Sequence, residues 1–134
     1  MKKIVFFSII GVLISALVFG GVAYFMVFSK GAEKKKEIIN YEVGEFSTNL
    51  SDTRHFFKGK ITIGITNKKE LKTLDESKVA LRDGILSILI QQKPEDMVSA
   101  AGMDAIKEEL KKNIGENVDI QSIEEIYFTD YIVQ

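Results

Sequence analysis

The chain is 134 residues long, with 18 Lys+Arg, 19 Asp+Glu, one His, no Cys and a formal net charge of −1. The lack of Cys excludes disulfides, thiolate zinc sites, iron–sulfur clusters and a Cys nucleophile, and the single His excludes the two-His zinc motifs. The charge balance lacks the basic excess that a nucleic-acid binder needs.

The average hides an uneven distribution. Ile4 to Phe28 carry no charge, and 20 of these 25 positions are apolar, the rest being Ser8, Gly11, Ser15, Gly20 and Gly21. As a helix this run rises roughly 37 Å, more than the roughly 30 Å of a bilayer's hydrocarbon core, so it is expected to cross a membrane with some tilt. The competing reading is a cleaved signal peptide, with Lys2 and Lys3 as its basic region and Gly21-Val22-Ala23 as a small-residue cleavage site. The run continues through Tyr24, Phe25, Met26, Val27 and Phe28, beyond the about 7–15 residues of a signal core, which favours an uncleaved anchor. Flanking charge does not orient it, because Lys2 and Lys3 on one side face Lys30, Lys34, Lys35 and Lys36 on the other. Gly11 and Ser15 lie four apart on one helix face and are candidate helix-packing positions within the membrane, although such residues are common in membrane helices without that role.

Residues 29–40 read as a charged tether, spanning at most about 40 Å when extended. The Lys34-Lys35-Lys36 run reads as part of a solvated linker that marks the membrane boundary, the alternative being charge offered to anionic headgroups. The remaining 41–134 form one polar domain, large enough for a single core. Tyr41, Val43, Phe46 and Leu50 outline an extended segment with a bulge near Gly44. Phe57, Gly59, Ile61, Ile63 and Ile65 alternate with Lys58, Lys60, Thr62, Gly64 and Thr66, the clearest strand in the sequence. One helix is expected from Leu71 or Asp75 to about Ile90, with Asp75 and Glu76 at its positive end. Its end, Ile85-Leu86-Ser87-Ile88-Leu89-Ile90, is apolar nearly all round and predicts burial on more than one side.

Pro94-Glu95-Asp96 starts a short helix, with Pro at the first helical position. A further helix is expected from Gly102 to Ile114, with Met103, Ile106, Leu110 and Ile114 inward, a Glu108–Lys112 pair and Gly115 as its cap. The last stretch alternates again. Ile126, Phe128, Asp130 and Ile132 share one face, and Glu125, Tyr127, Thr129, Tyr131 and Val133 the other, so the strand is expected to be central or at an interface. The fold class is α+β, with helices packed on a small mixed sheet.

No catalytic constellation emerges. His55 neighbours Arg54, Phe56 and Phe57 without a nucleophile in its pattern, and no Walker A, G-x-S-x-G, G-x-G-x-x-G or EF-hand spacing occurs. The acidic pairs read as helix starts and solvated faces. No cofactor or metal is expected, and the protein is not expected to be an enzyme. Leu81, Ile85, Leu86, Ile88 and Leu89, with the Tyr127, Phe128 and Tyr131 cluster, are the candidate oligomer or partner contacts. The aromatic spacing fits core packing equally well.

The order of blocks is informative. Tyr41-Glu42-Val43-Gly44-Glu45-Phe46-Ser47-Thr48-Asn49-Leu50 is followed by Lys60-Ile61-Thr62-Ile63, then Leu81-Arg82-Asp83-Gly84-Ile85-Leu86-Ser87-Ile88-Leu89, then Lys93-Pro94-Glu95-Asp96. The chain closes on Ile126-Tyr127-Phe128-Thr129-Asp130-Tyr131-Ile132-Val133-Gln134. With the anchor and tether before them, these blocks resemble the bacterial FliL family of flagellar basal body-associated proteins across essentially the whole chain. Lys93 stands where that family is expected to place Thr or Ser as a helix cap, and Arg54-His55-Phe56-Phe57-Lys58 matches its basic-aromatic pattern only loosely. The resemblance implies a single-pass inner-membrane protein with a short cytoplasmic tail and an extracytoplasmic domain of stomatin/prohibitin (SPFH-like) type. It further implies a homo-oligomeric ring around the stator units at the flagellar basal body, supporting torque, swimming, swarming and chemotactic movement. The alternative is a general stomatin-like membrane scaffold with no flagellar role.

Overall fold

The computed structural model describes residues 1–29 and 36–134, so the expected tether's residues 30–35, with Lys30, Lys34 and Lys35, lie outside the described residues. The chain divides into two units, Met1–Lys36 and Glu37–Gln134. The first is built on helix α1, Lys2–Ser29, which is long and apolar enough to cross a membrane. Its Met1–Phe28 side chains are all exposed in the isolated chain, and Tyr24 and Phe28 stack one turn apart with ring centroids 4.3 Å apart.

The second unit contains strands β1 (Ile39–Asn49), β2 (Phe56–Ile65) and β3 (Ile123–Val133) and four helices, α2 (Glu70–Glu76), α3 (Lys78–Leu89), α4 (Pro94–Met97) and α5 (Ala100–Val118). The sheet order is β1-β2-β3, with both pairings antiparallel. The sheet is therefore wholly antiparallel rather than mixed. The helices leave from Ile65 and return the chain to Ile123, which lies directly across from Ile65, so β3 must run back along β2. The helix layer covers one face only. Ile61, Ile63 and Ile65 of β2 and Ile126 of β3 meet Leu81, Ile85 and Leu89 of α3 and Ile106, Leu110 and Ile114 of α5 in one buried cluster. Burial of each such side chain contributes roughly 1.5–3 kcal/mol.

The bulge falls where the sequence placed it, between Glu42 and Gly44, with Gly44 at φ +114°. A Cβ there would be strained, and would sit 3.2 Å from the Arg82 guanidinium. That guanidinium donates to the carbonyls of Val43 at 3.0 Å and Glu45 at 2.8 Å, and lies 4.3 Å over the Phe46 ring. Arg82 of α3 thus holds the bulged strand to the helix layer.

Several expectations are corrected. The single helix over 71–90 is two, broken at Ser77 with φ −99° and ψ 13°. Asp75 and Glu76 therefore end α2 instead of starting a helix, and Asp75 accepts the Tyr41 hydroxyl at 2.9 Å. Burial, followed by this bond, pushes the Tyr41 phenol up to about 12. Helix α5 passes through Gly115 to Val118 and is capped by Asp119 in the left-handed region at φ 56°, a conformation that Asp tolerates. Glu108 pairs with Lys111 at 3.0 Å, one residue short of Lys112. Pro94 does open α4, and Lys93 before it is extended at ψ 144° with no side-chain cap, as the residue preceding a proline must be.

The terminal strand departs most. It is an edge strand, because β2 occupies the centre. Its alternation breaks between Lys60↔Thr129 and Lys58↔Ile132, where Asp130 takes φ 51°. The extra residue exchanges the faces beyond it. Val133 then packs inward and Ile132 outward, the reverse of simple alternation.

A polar latch joins the helix layer to β3. The Glu70 carboxylate, at the start of α2, accepts the Ser122 hydroxyl at 2.6 Å and the Ser122 N–H at 3.2 Å. The Gln121 N–H lies 3.5 Å away and the Asn67 side-chain amide 3.4 Å. Burial raises the Glu70 carboxyl, but these four donors outweigh it and hold the group below its ordinary value of 4.5. A carboxyl lowered by folding stabilises the fold above its ordinary range and loses that contribution as pH falls through the depressed value. Glu70→Gln is expected to lower stability by about 1–2 kcal/mol at neutral pH. In denaturant titrations, the gap from wild type should close as pH drops below 4.5. A gap independent of pH would show that the charge is not what the latch uses.

Candidate interaction surface

His55 lies on the exposed turn between β1 and β2. Its Nδ1 faces the Asp52 carboxylate, which also accepts the backbone N–H groups of Arg54 at 3.1 Å and His55 at 3.0 Å. The His55 N–H and then its imidazole draw the Asp52 carboxyl down to about 2. These contacts close the turn, and Leu50 N–H to the His55 carbonyl at 2.9 Å completes it. Among the described residues, no group of three or more His, Asp or Glu is placed to hold a metal ion.

Surface chemistry is instead apolar and localised. Leu81, Ile85, Ile88 and Leu89, expected as partner contacts, are consumed by the domain's own core and have no surface to offer. Of the helix set only Leu86 remains outside. It belongs to a second stripe that the sequence reading did not separate: Val79 (86% exposed), Leu86 (39%) and Ile90 (46%), with exposed Asp83 among them. Positions 79, 83, 86 and 90 fall on one side of a helix at 100° per residue. The buried residues at 81, 85, 88 and 89 fall on the other. The nearly all-round apolar run thus resolves into an inward face made by the sheet and α5 and an outward face left exposed among the described residues of the domain.

The aromatic candidates divide similarly. Phe128 is half-buried and forms a cluster with Phe57 and Tyr131, at centroid separations of 6.2 to 6.5 Å. Tyr127 is half-buried, its ring beside Gly64 on the uncovered face of the sheet. Tyr131 is exposed and, with Val98, Met103 and Lys107, lines a groove between α5 and β3. Beside it, Phe56 and Ile132 are exposed on the uncovered face as diagonal neighbours, since Phe56 bonds Gln134 and Ile132 lies across from Lys58. Phe56, Val79, Ile90, Val98 and Ile132 were absent from the expected set. Only tertiary packing reveals which apolar residues a core leaves outside.

In α1 the position of Gly11 is open, with nothing within 4 Å of where a Cβ would lie. Gly11 and Ser15 thus present an unobstructed face.

Residues 40–134 match the family described as "Flagellar basal body-associated protein FliL". The "Flagellar protein FliL" of Bacillus subtilis (strain 168) is 25% identical over 122 residues, covering 86% of this chain and 86% of that protein. The "Flagellar protein FliL" of Aquifex aeolicus (strain VF5) is 26% identical over 91 residues, covering 66% of this chain and 56% of that protein.

Proposed function

Because this chain belongs to the FliL family of flagellar basal body-associated proteins, we propose that it is a non-enzymatic, membrane-anchored component that self-assembles around the stator units of the flagellar motor and supports torque, swimming, swarming and chemotactic movement. In this reading α1, over Ile4 to Phe28, spans the inner membrane once, with Gly11 and Ser15 on its packing face. The residues between Ser29 of α1 and Ile39 of β1 form the tether, shorter at both ends than the 29–40 expected from sequence. Residues 41–134 lie outside the cytoplasm as a stomatin/prohibitin-type domain.

The observation that carries the reading is the combination of one apolar helix with a domain that, among its described residues, leaves a hydrophobic stripe on α3 exposed. Anchoring confines copies to two dimensions and raises their effective concentration, so modest contacts suffice for assembly. Leu86 and Tyr131 are the members of the expected contact set that are exposed enough to serve.

A functional fluorescent fusion of the full chain is the test. It is expected to form foci at flagellar bases. An even membrane signal with no relation to flagella would favour the general scaffold reading instead.

A further inference from the structure

The self-assembly just proposed requires a surface by which one copy meets the next, and the sheet edges are poor choices. On β1 the bulge and the Arg82 guanidinium occupy the outward carbonyls of Val43 and Glu45. On β3 the Glu125 carboxylate accepts the Ile126 N–H at 3.0 Å and pairs with Lys107 at 3.8 Å, and the Asp130 bulge interrupts the strand beyond. Bulges and charges of this kind block edge-to-edge pairing.

Besides Ile38 and the Val98–Tyr131 groove, whose Lys107 already pairs with Glu125, two dissimilar apolar patches are exposed among the described residues of the domain. One is the α3 stripe of Val79, Leu86 and Ile90, which contains the carboxylate of Asp83. The other is the strand end formed by Phe56 and Ile132, with exposed Arg54 two residues before Phe56 in the chain. Neither Asp83 nor Arg54 has an ion-pair partner among the described residues. Copies anchored in one membrane share an orientation, so a rotation about the membrane normal relates them. Two different but complementary patches then meet head to tail, the type of contact that closes into rings.

We infer that the α3 stripe of one copy seats on the Phe56–Ile132 strand end of a second copy, with Asp83 facing Arg54. This rests on the self-assembly reading above, and the occupant of both patches is the same chain.

The absence of native Cys makes the contact directly readable. Full-length Leu86→Cys and Ile132→Cys chains are co-expressed in membranes and treated with a short bismaleimide. Cross-linked dimers are expected from the mixture, a ladder of multimers from the doubly substituted chain, and at least tenfold less product from either single variant alone. Strong dimers from Leu86→Cys alone would mean that α3 meets α3, and would overturn the inference. So would no product from the mixture while an amine-reactive reagent still captures wild-type multimers. If that reagent captures no wild-type multimers, self-assembly itself fails.

A charge exchange supplies a second measurement. Asp83→Arg and Arg54→Asp, both at exposed positions, should each cut amine-captured multimers severalfold, and the two together should restore them. Loss without restoration would remove the Asp83–Arg54 pairing.

Discussion

Arg82→Ala is expected to lower the stability of the 41–134 domain by about 3 kcal/mol. The side chain makes two charge-assisted hydrogen bonds, to the carbonyls of Val43 and Glu45, and stacks on Phe46. A hydrogen bond involving a charged group contributes about 1.5–3 kcal/mol, and a cation–π contact about 0.5–1 kcal/mol more at a surface site. The sum is discounted because Arg82 is only half-buried and water can reach part of what it leaves. Its position gives the change leverage. The bulge lies between Glu42 and Gly44, beside these two carbonyls, and Arg82 ties them to α3. Arg82→Lys should recover less than half of the loss, because an ammonium lacks the planar fork that reaches two carbonyls at once. Thermal unfolding of the full chain in detergent, read by circular dichroism, measures both. A domain this size shifts by about 4–8 °C per kcal/mol, so Arg82→Ala should melt well over 10 °C lower. Wild-type melting in Arg82→Ala would mean that the bulge is held by other contacts.

Gly102→Ala is expected to cost a similar amount, about 3 kcal/mol, for a steric reason. Gly102 lies in the first turn of α5, and its N–H donates to the Ser99 side chain that caps the helix at 3.0 Å. A Cβ at this position would lie 2.2 Å from the Asp96 carbonyl oxygen and 2.6 Å from the Asp96 Cα. Both are backbone atoms, so no side-chain rotation relieves the overlap. Either α4 moves away from α5 or the Ser99 cap is lost. Ala is the better helix former in isolation, which makes the prediction sharp: local propensity predicts a gain and packing predicts a loss. Movement of α4 would also unseat Met97, which is fully buried. An unchanged or raised melting temperature would show that the α4–α5 junction is looser than this.

Much of the fold was readable because it is local. The alternation from Phe57 to Ile65, the bulge near Gly44, the helix start at Pro94 and the Ile106–Leu110–Ile114 stripe each depend on residues near one another in sequence. The readings that failed depend on distant contacts. At Ser77 the break is marked only by a residue type that often caps helices, without Gly or Pro, and the side chain makes no capping bond. Asp130 gives no signal of its left-handed backbone beyond being an Asp, so simple alternation assigned Ile132 and Val133 to the wrong faces. Gly115 resembled a cap, yet the helix continues and Asp119 ends it.

The candidate surface was legible only in part. The run from Ile85 to Ile90 announced a helix apolar on more than one side. Which side belongs to the core depends on where β2 and α5 lie, and that assignment removed Leu81, Ile85, Ile88 and Leu89 from the contact set while leaving Leu86. Val79 and Ile90 became visible only once the inward face was known. Phe56 and Ile132 come from segments 76 positions apart in sequence and are joined solely by the β2–β3 register.

This chain belongs to a flagellar basal body-associated family, and its proposed action there is through the stator units. The most direct measurement images the fluorescent full-length fusion in wild-type cells and in otherwise identical cells lacking stator proteins. Foci at flagellar bases that disappear when the stators are removed are the predicted result. Foci of unchanged number and brightness without stators would contradict it.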